Sequence, residues 1–201
     1  MTYAAASLTQ GRKTLLLIIA LLALPFAVAF ALYWFEWQPS KLANHGELIQ
    51  PPRPLPANGL SSVDGQSLPA EDLRRKWSLI LVNAGDCAAA CQRDLQQIRQ
   101  VQVALNKEMV RLRRVLIGDS LAGLRADPGL AAIRAAYPDL LVAAPDDDQA
   151  GATMRTFFDG RQHRFYVVDP LGNVMMRYPA QPDMAGMLKD LERLLKYSWV
   201  G

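Results

Sequence analysis

Cys87 and Cys91 are the only sulfhydryls in the 201-residue chain, and they lie four residues apart. They fall between a short apolar run, Trp77–Asn83, and a stretch with helical periodicity. Residues i and i+4 share one helix face with Cβ atoms about 5–6 Å apart. A disulfide wants Cα atoms about 4.4–6.8 Å apart, so a modest local adjustment allows a bond. As a dithiol, the same pair offers two soft thiolates to a thiophilic ion such as Cu(I). A helix N-terminus favours thiolate, whereas the neighbouring Asp86 opposes it. The blander alternative is an inert disulfide in an oxidising compartment. Closing a loop of about five residues contributes only about 2 kcal/mol, and a domain in need of a staple would join distant segments. The functional reading of the pair is therefore preferred.

Other chemistry-bearing residues are sparse. His163, just before a predicted strand, reads by itself as a surface or hairpin-edge histidine more often than as a ligand, and is the candidate third metal ligand beside the two cysteines. His45, in Asn44-His45-Gly46, reads as a solvated turn residue. Met175 and Met176 are thioether candidates, but neighbours on a strand face opposite ways, so both cannot line one site and at least one belongs to the core. Asp146-Asp147-Asp148 lacks the glycine and distal glutamate of a calcium loop and reads as a solvated turn. No phosphate-binding loop, dinucleotide fingerprint or Ser-His-Asp set is present. Four-cysteine zinc modules are excluded by the count. The 22 basic and 19 acidic side chains leave a net charge of +3, too balanced for a nucleic-acid partner despite a pI near 9.0.

The elements that must position the pair alternate. Trp77–Asn83 and Arg114–Ile117 read as buried strands. Leu95, Ile98, Val101, Leu105 and Met109 mark an amphipathic helix between them. Further helices are predicted near residues 129–136 and 150–158, with a short strand at Leu140–Val142. Arg164–Val168 and Asn173–Tyr178 flank Asp169-Pro170-Leu171-Gly172, a hairpin signature. Met184–Lys196 carries apolar residues along one side. The order β-α-β-α then β-β-α suits an α/β sandwich with a mixed sheet, of which the thioredoxin fold is a small example.

Upstream, residues 14–35 contain no charged side chain. As a helix this run spans about 33 Å, enough for a hydrocarbon core of about 30 Å, and a helix satisfies its own backbone in lipid even around Pro25. Arg12 and Lys13 precede it and Glu36 follows, so the positive-inside rule leaves residues 1–13 in the cytoplasm and the remainder outside. Ala27-Val28-Ala29 has the form of a signal-peptidase site, but the apolar run continues past it, and an uncleaved anchor is the preferred reading. Residues 36–60, with five prolines, read as a semi-rigid linker. Residues 61–201 then form the folded domain.

Leu79–Leu95, with its C-x3-C loop, resembles the strand, loop and helix start of the Sco family. Asp64-Gly65-Gln66-Ser67-Leu68, Leu73-Arg74-Arg75-Lys76-Trp77 and Tyr166-Val167-Val168-Asp169-Pro170-Leu171-Gly172 extend the resemblance over residues 63–178. It implies a membrane-anchored thioredoxin-like fold that delivers copper to, or reduces the thiols of, the copper site of cytochrome c oxidase. It further implies Cys87 and Cys91 as redox pair and Cu(I) ligands. Its partners would be the oxidase subunits or other assembly factors, at the periplasmic face of an inner membrane. Two departures stand out. Ala88 and Gln92 occupy positions that carry proline in Sco proteins. Arg161 stands at the third-ligand histidine position, with His163 two residues on, and a cation there disfavours metal while favouring thiolate. Two other functions compete: a non-catalytic thioredoxin-like scaffold of an oxidase, and a general membrane-tethered thiol–disulfide oxidoreductase.

Overall fold

The structure, a computed structural model, describes residues 4–35, 44–158 and 163–199. It divides into two compact units. The first contains α1 (Ala4–Trp34), which continues through Pro25. Its Gln10–Trp34 portion is long and apolar enough to cross a membrane, by length and composition.

The second unit begins at Asn44. Its strands are β1 (Glu47–Pro54), β2 (Leu60–Ser62), β3 (Trp77–Val82), β4 (Leu112–Ile117), β5 (Leu141–Pro145), β6 (His163–Val168) and β7 (Asn173–Pro179). Its helices are α2 (Ala89–Ala104), α3 (Leu121–Ala126), α4 (Leu130–Ala136), α5 (Gln149–Phe157) and α6 (Met184–Tyr197). The strands form one mixed sheet in the order β1-β7-β6-β3-β4-β5-β2. β3, β4 and β5 run parallel, while β6 is antiparallel to both β3 and β7. The expected α/β sandwich with a mixed sheet is the fold observed.

β3 occupies the centre because it is apolar on both faces, as a strand covered from two sides must be. Leu79 and Leu81 pack with Leu95 and Ile98 of α2 and with Met187, Leu191 and Leu195 of α6. Ile80 points the other way, among Val115, Ile117, Met154 and Phe158. Each such side chain contributes about 1.5–3 kcal/mol by leaving water. The β6–β7 hairpin turns where expected. Asp169 accepts hydrogen bonds from the backbone N–H of Leu171 (2.9 Å) and Asn173 (2.8 Å), and Gly172 takes a φ of +92°. In the acidic run, Asp147 is largely exposed and Asp148 caps α5 through the N–H of Gly151.

The stretch expected as a linker differs. Residues 36–43 lie outside the described residues, but from Asn44 onward the chain belongs to the folded unit. β1 pairs with β7 at Glu47, Leu48, Arg53 and Pro54, with a register shift between Leu48 and Arg53. The prolines that suggested a spacer are accommodated because β1 is an edge strand, where a missing N–H breaks no ladder bond on the open side.

Arg114 on β4 is fully buried. Its Nε donates to Gln102 Oε1 (2.8 Å) and its Nη2 to Asp139 Oδ1 (2.7 Å). Burial alone would raise the Asp139 carboxyl, but the Arg114 hydrogen bond and charge outweigh it and hold that carboxyl below its ordinary value of 3.8. A carboxyl with a depressed folded-state pKa stabilises above the unfolded value and loses that contribution as pH falls through the folded one. Wild type is therefore expected to exceed Asp139→Asn in stability at pH 6, with the gap narrowing below about pH 4. Urea unfolding at a series of pH values checks this, and a gap independent of pH would contradict it.

Candidate functional site

The carboxyl end of β3 feeds the cysteine loop, and its neighbours shape that loop by hydrogen bonds. The Asn83 side-chain amide donates to the carbonyls of Gly85 (2.9 Å) and Asp86 (3.2 Å). Gly85 takes a φ of +81°, a conformation that a side chain would strain. Its N–H donates to Asp119 Oδ2 (2.7 Å), just beyond β4. Cys87 follows, then Ala88 as the first residue outside α2, with no side-chain cap. Cys91 lies in the first turn of α2, its Cα 5.0 Å from that of Cys87, and the two sulfurs are bonded.

Residues 84–86 and 88–90 are exposed, yet the two cysteines are not. Cys87 retains 3% of its surface and Cys91 1%. Both belong to the same apolar cluster as Leu124 of α3 and Leu130 and Ile133 of α4. Between those helices, the buried Asp127 accepts from the backbone N–H of Cys87 through Oδ2 (2.7 Å) and from that of Gly129 through Oδ1 (2.7 Å). Gln92, one residue past Cys91, reaches back to the Cys87 carbonyl (3.3 Å).

The other candidates fall elsewhere. His163 heads β6 with its backbone opposite Pro179, and its side chain, like Arg161, lies outside what is described. Among the described residues no group of three His, Cys, Asp or Glu side chains could hold a metal. Met176 is core and accepts from the Tyr178 hydroxyl (2.9 Å).

His45 is exposed in a bend, as expected, but it is also tied down. Its backbone N–H donates to Asp190 Oδ2 (2.9 Å), and its Nδ1 lies 3.3 Å from Oδ1. Asp190, buried on α6, also accepts from Gly46 N–H (2.9 Å) and the Tyr178 hydroxyl (3.0 Å). Burial and the Asp190 carboxylate push the Tyr178 phenol well above its ordinary value of 10.0, so it remains a donor at physiological pH. A charged partner 145 positions away draws this short segment into the fold.

On the opposite sheet face, a cleft of about 320 Å³ adjoins the cysteine loop, lined by Val82, Ala84, Asp119, Met154, Arg155 and Phe158 among others. It lies at the carboxyl ends of the parallel strands, where open α/β sheets bind ligands. Asn83, Asp119 and Asp127 are the site residues that sequence reasoning missed. The one signal available was a polar residue just after each apolar run, at Asn83 and Asp119.

The arrangement holds one disulfide. Exchange needs a thiolate to reach a sulfur, so the bonded pair must first be uncovered. As a dithiol, it supplies two soft donors and no described third.

A family model described as transmembrane-like, thioredoxin-like, C-terminal domain matches residues 77–198. No curated protein matches the chain by sequence. Among solved structures, yeast Sco1 with copper bound is 17% identical, with a TM-score of 0.54, covering 79% of this chain and 96% of its own. Copper-bound ScoI of Arabidopsis thaliana is 14% identical, with a TM-score of 0.55, covering 77% and 99%. BsSco, a member of the Sco family of cytochrome c oxidase assembly proteins in which a disulfide switch is identified, is 17% identical, with a TM-score of 0.53, covering 76% and 100%. At these identities the likeness is one of fold.

Proposed function

The chain belongs to the transmembrane-like, thioredoxin-like C-terminal domain family, and from that premise we propose that it is a membrane-anchored, Sco-like assembly factor for cytochrome c oxidase. In this reading α1 holds the domain at the outer face of an inner membrane. Cys87 and Cys91 cycle between disulfide and dithiol. The dithiol reduces a disulfide between the cysteines of the oxidase copper site and is itself left as the disulfide, to be reduced again by an external dithiol, or it passes the site Cu(I), or both. Copper is cargo here, gripped by the two cysteine sulfurs, with His163 as candidate third ligand.

The observation that carries the reading is the pair itself. The described cysteines are joined to each other across a five-residue loop at the strand–helix junction of a thioredoxin-like sheet. Crosslinking so short a loop adds only about 2 kcal/mol, which is weak motive for a staple. The fold likeness to Sco structures, two of them copper-bound, adds support.

Deleting the chain from cells that make it tests this reading. Oxidase activity and the spectroscopic signal of its copper centre should fall at limiting copper and return when the wild-type chain is expressed. Unchanged oxidase at every copper supply would overturn it.

One observation favours a second reading, a non-catalytic scaffold on the oxidase: both cysteines are buried. The two readings part on whether a chain without the cysteines still restores oxidase.

A further inference from the structure

Both cysteines are buried although the loop residues beside them, 84–86 and 88–90, face water, and a segment about forty positions away is bonded to that loop. α3 ends at Ala126 and α4 begins at Leu130. The Asp127–Gly129 connection between them is pinned to the cysteine loop by one carboxylate. Asp127 Oδ2 takes the Cys87 N–H and Oδ1 takes the Gly129 N–H, both at 2.7 Å. Gly129 lies close enough that a Cβ there would come within 3.9 Å of the Cys87 carbonyl oxygen and 3.5 Å of Gln92 Nε2. Leu124 and Leu130, on either side of the connection, join the cluster that contains both cysteines.

We propose that Asp127 is a latch: a positioning residue that holds the α3–α4 connection over the Cys87–Cys91 bond and sets how readily the bond is reduced. The inference rests on the reading of the pair as a working redox centre. With Cys87 and Cys91 left 3% and 1% of their residue surface, an attacking thiolate has no open in-line approach to the bond, so the connection must swing away before exchange. Opening breaks the Asp127–Cys87 hydrogen bond, a charge-assisted bond of the stronger kind.

Once the latch is open, the thiolate of a dithiol reductant attacks one cysteine sulfur. The Sγ–Sγ bond breaks, a mixed disulfide forms, and the departing cysteine thiolate takes up a proton. The reductant's second thiol then attacks the mixed disulfide, releasing the other cysteine and leaving as a cyclic disulfide. Two electrons pass from reductant to protein. The same carboxylate holds Cys87 in its bonded position, so losing it favours the dithiol as well as speeding its formation.

The test is reduction of the full chain in detergent micelles by dithiothreitol, followed in time and then at equilibrium in dithiothreitol redox buffers. Asp127→Ala should be reduced at least tenfold faster than wild type. Its equilibrium should move about tenfold towards dithiol, close to 30 mV less reducing for this two-electron couple. Asp127→Asn keeps one acceptor oxygen for the Cys87 N–H and should fall between the two. Asp148→Ala removes the same kind of carboxylate–backbone bond from the N-terminus of α5 and should match wild type in both measurements. Asp127→Asn reduced at the wild-type rate and equilibrium, or Asp148→Ala accelerated as much as Asp127→Ala, would overturn the latch. Amide exchange supplies a check that needs no variant: the Cys87 N–H should be protected in the oxidised chain, and free exchange there would also overturn it. The oxidase reading is judged separately, by copper-site assembly in cells, so either can fail without the other.

Discussion

A chain carrying Cys87→Ser and Cys91→Ser is expected to leave cells with at least tenfold less oxidase activity at limiting copper than the wild-type chain does. The expectation follows from the proposed reading, in which Cys87 and Cys91 supply both electrons of the exchange and two soft donors for Cu(I). Misfolding would not account for such a loss. The crosslink closes a loop of about five residues and contributes about 2 kcal/mol by chain entropy, and the fold keeps its central sheet. Thermal unfolding of the variant should accordingly stay cooperative, with a modest fall in Tm. The scaffold reading predicts the opposite in cells, full restoration by the double-serine chain. Oxidase activity and Tm measured on the same variant therefore separate lost chemistry from lost structure.

Asp190→Ala is expected to cost about 3–5 kcal/mol of folding stability. The carboxylate is 2% exposed and accepts from His45 N–H, Gly46 N–H and the Tyr178 hydroxyl. Removing it leaves the Gly46 donor buried without its acceptor and the Tyr178 hydroxyl with only the weak Met176 sulfur, and each buried donor so deprived costs about 1–3 kcal/mol. It also cuts the tie between the start of the folded unit and α6. Asp190→Asn, which retains one acceptor oxygen, should recover part of the loss. His45→Ala should lose under about 1 kcal/mol, because its ring is 38% exposed and its backbone N–H survives the change. Urea unfolding of the three variants checks the ranking, and an Asp190→Ala loss no larger than that of His45→Ala would refute the account of this cluster.

The sheet was legible wherever periodicity alone decides structure. β3 reads as an unbroken apolar run, the β6–β7 hairpin carries its turn residues, and α6 keeps its apolar side. β1 was not legible, because its prolines exclude a central strand and an edge strand depends on a partner, β7, about 120–130 positions away. Arg114 could be placed on a strand but not in the core, since its burial depends on Gln102 and Asp139 arriving from two other elements. The cysteine pair was legible from rarity and spacing. What surrounds it was not: Asp127 is 40 positions from Cys87, and Asp119 is 34 from Gly85. Nothing local marks Asp127 as a loop anchor, and Asp119 shows only as a polar residue following an apolar run. The anchoring of His45 was missed for the same reason, since nothing near an exposed Gly-flanked residue shows that Asp190 is brought to it.

The claim on which the rest depends is that Cys87–Cys91 is a working redox centre. Its most direct test is the reduction potential of the pair in the full chain, read by thiol trapping after equilibration in defined redox buffers. The account predicts a potential above about −300 mV, within reach of biological thiols; a value well below about −300 mV would mark the bond as a permanent crosslink and contradict it.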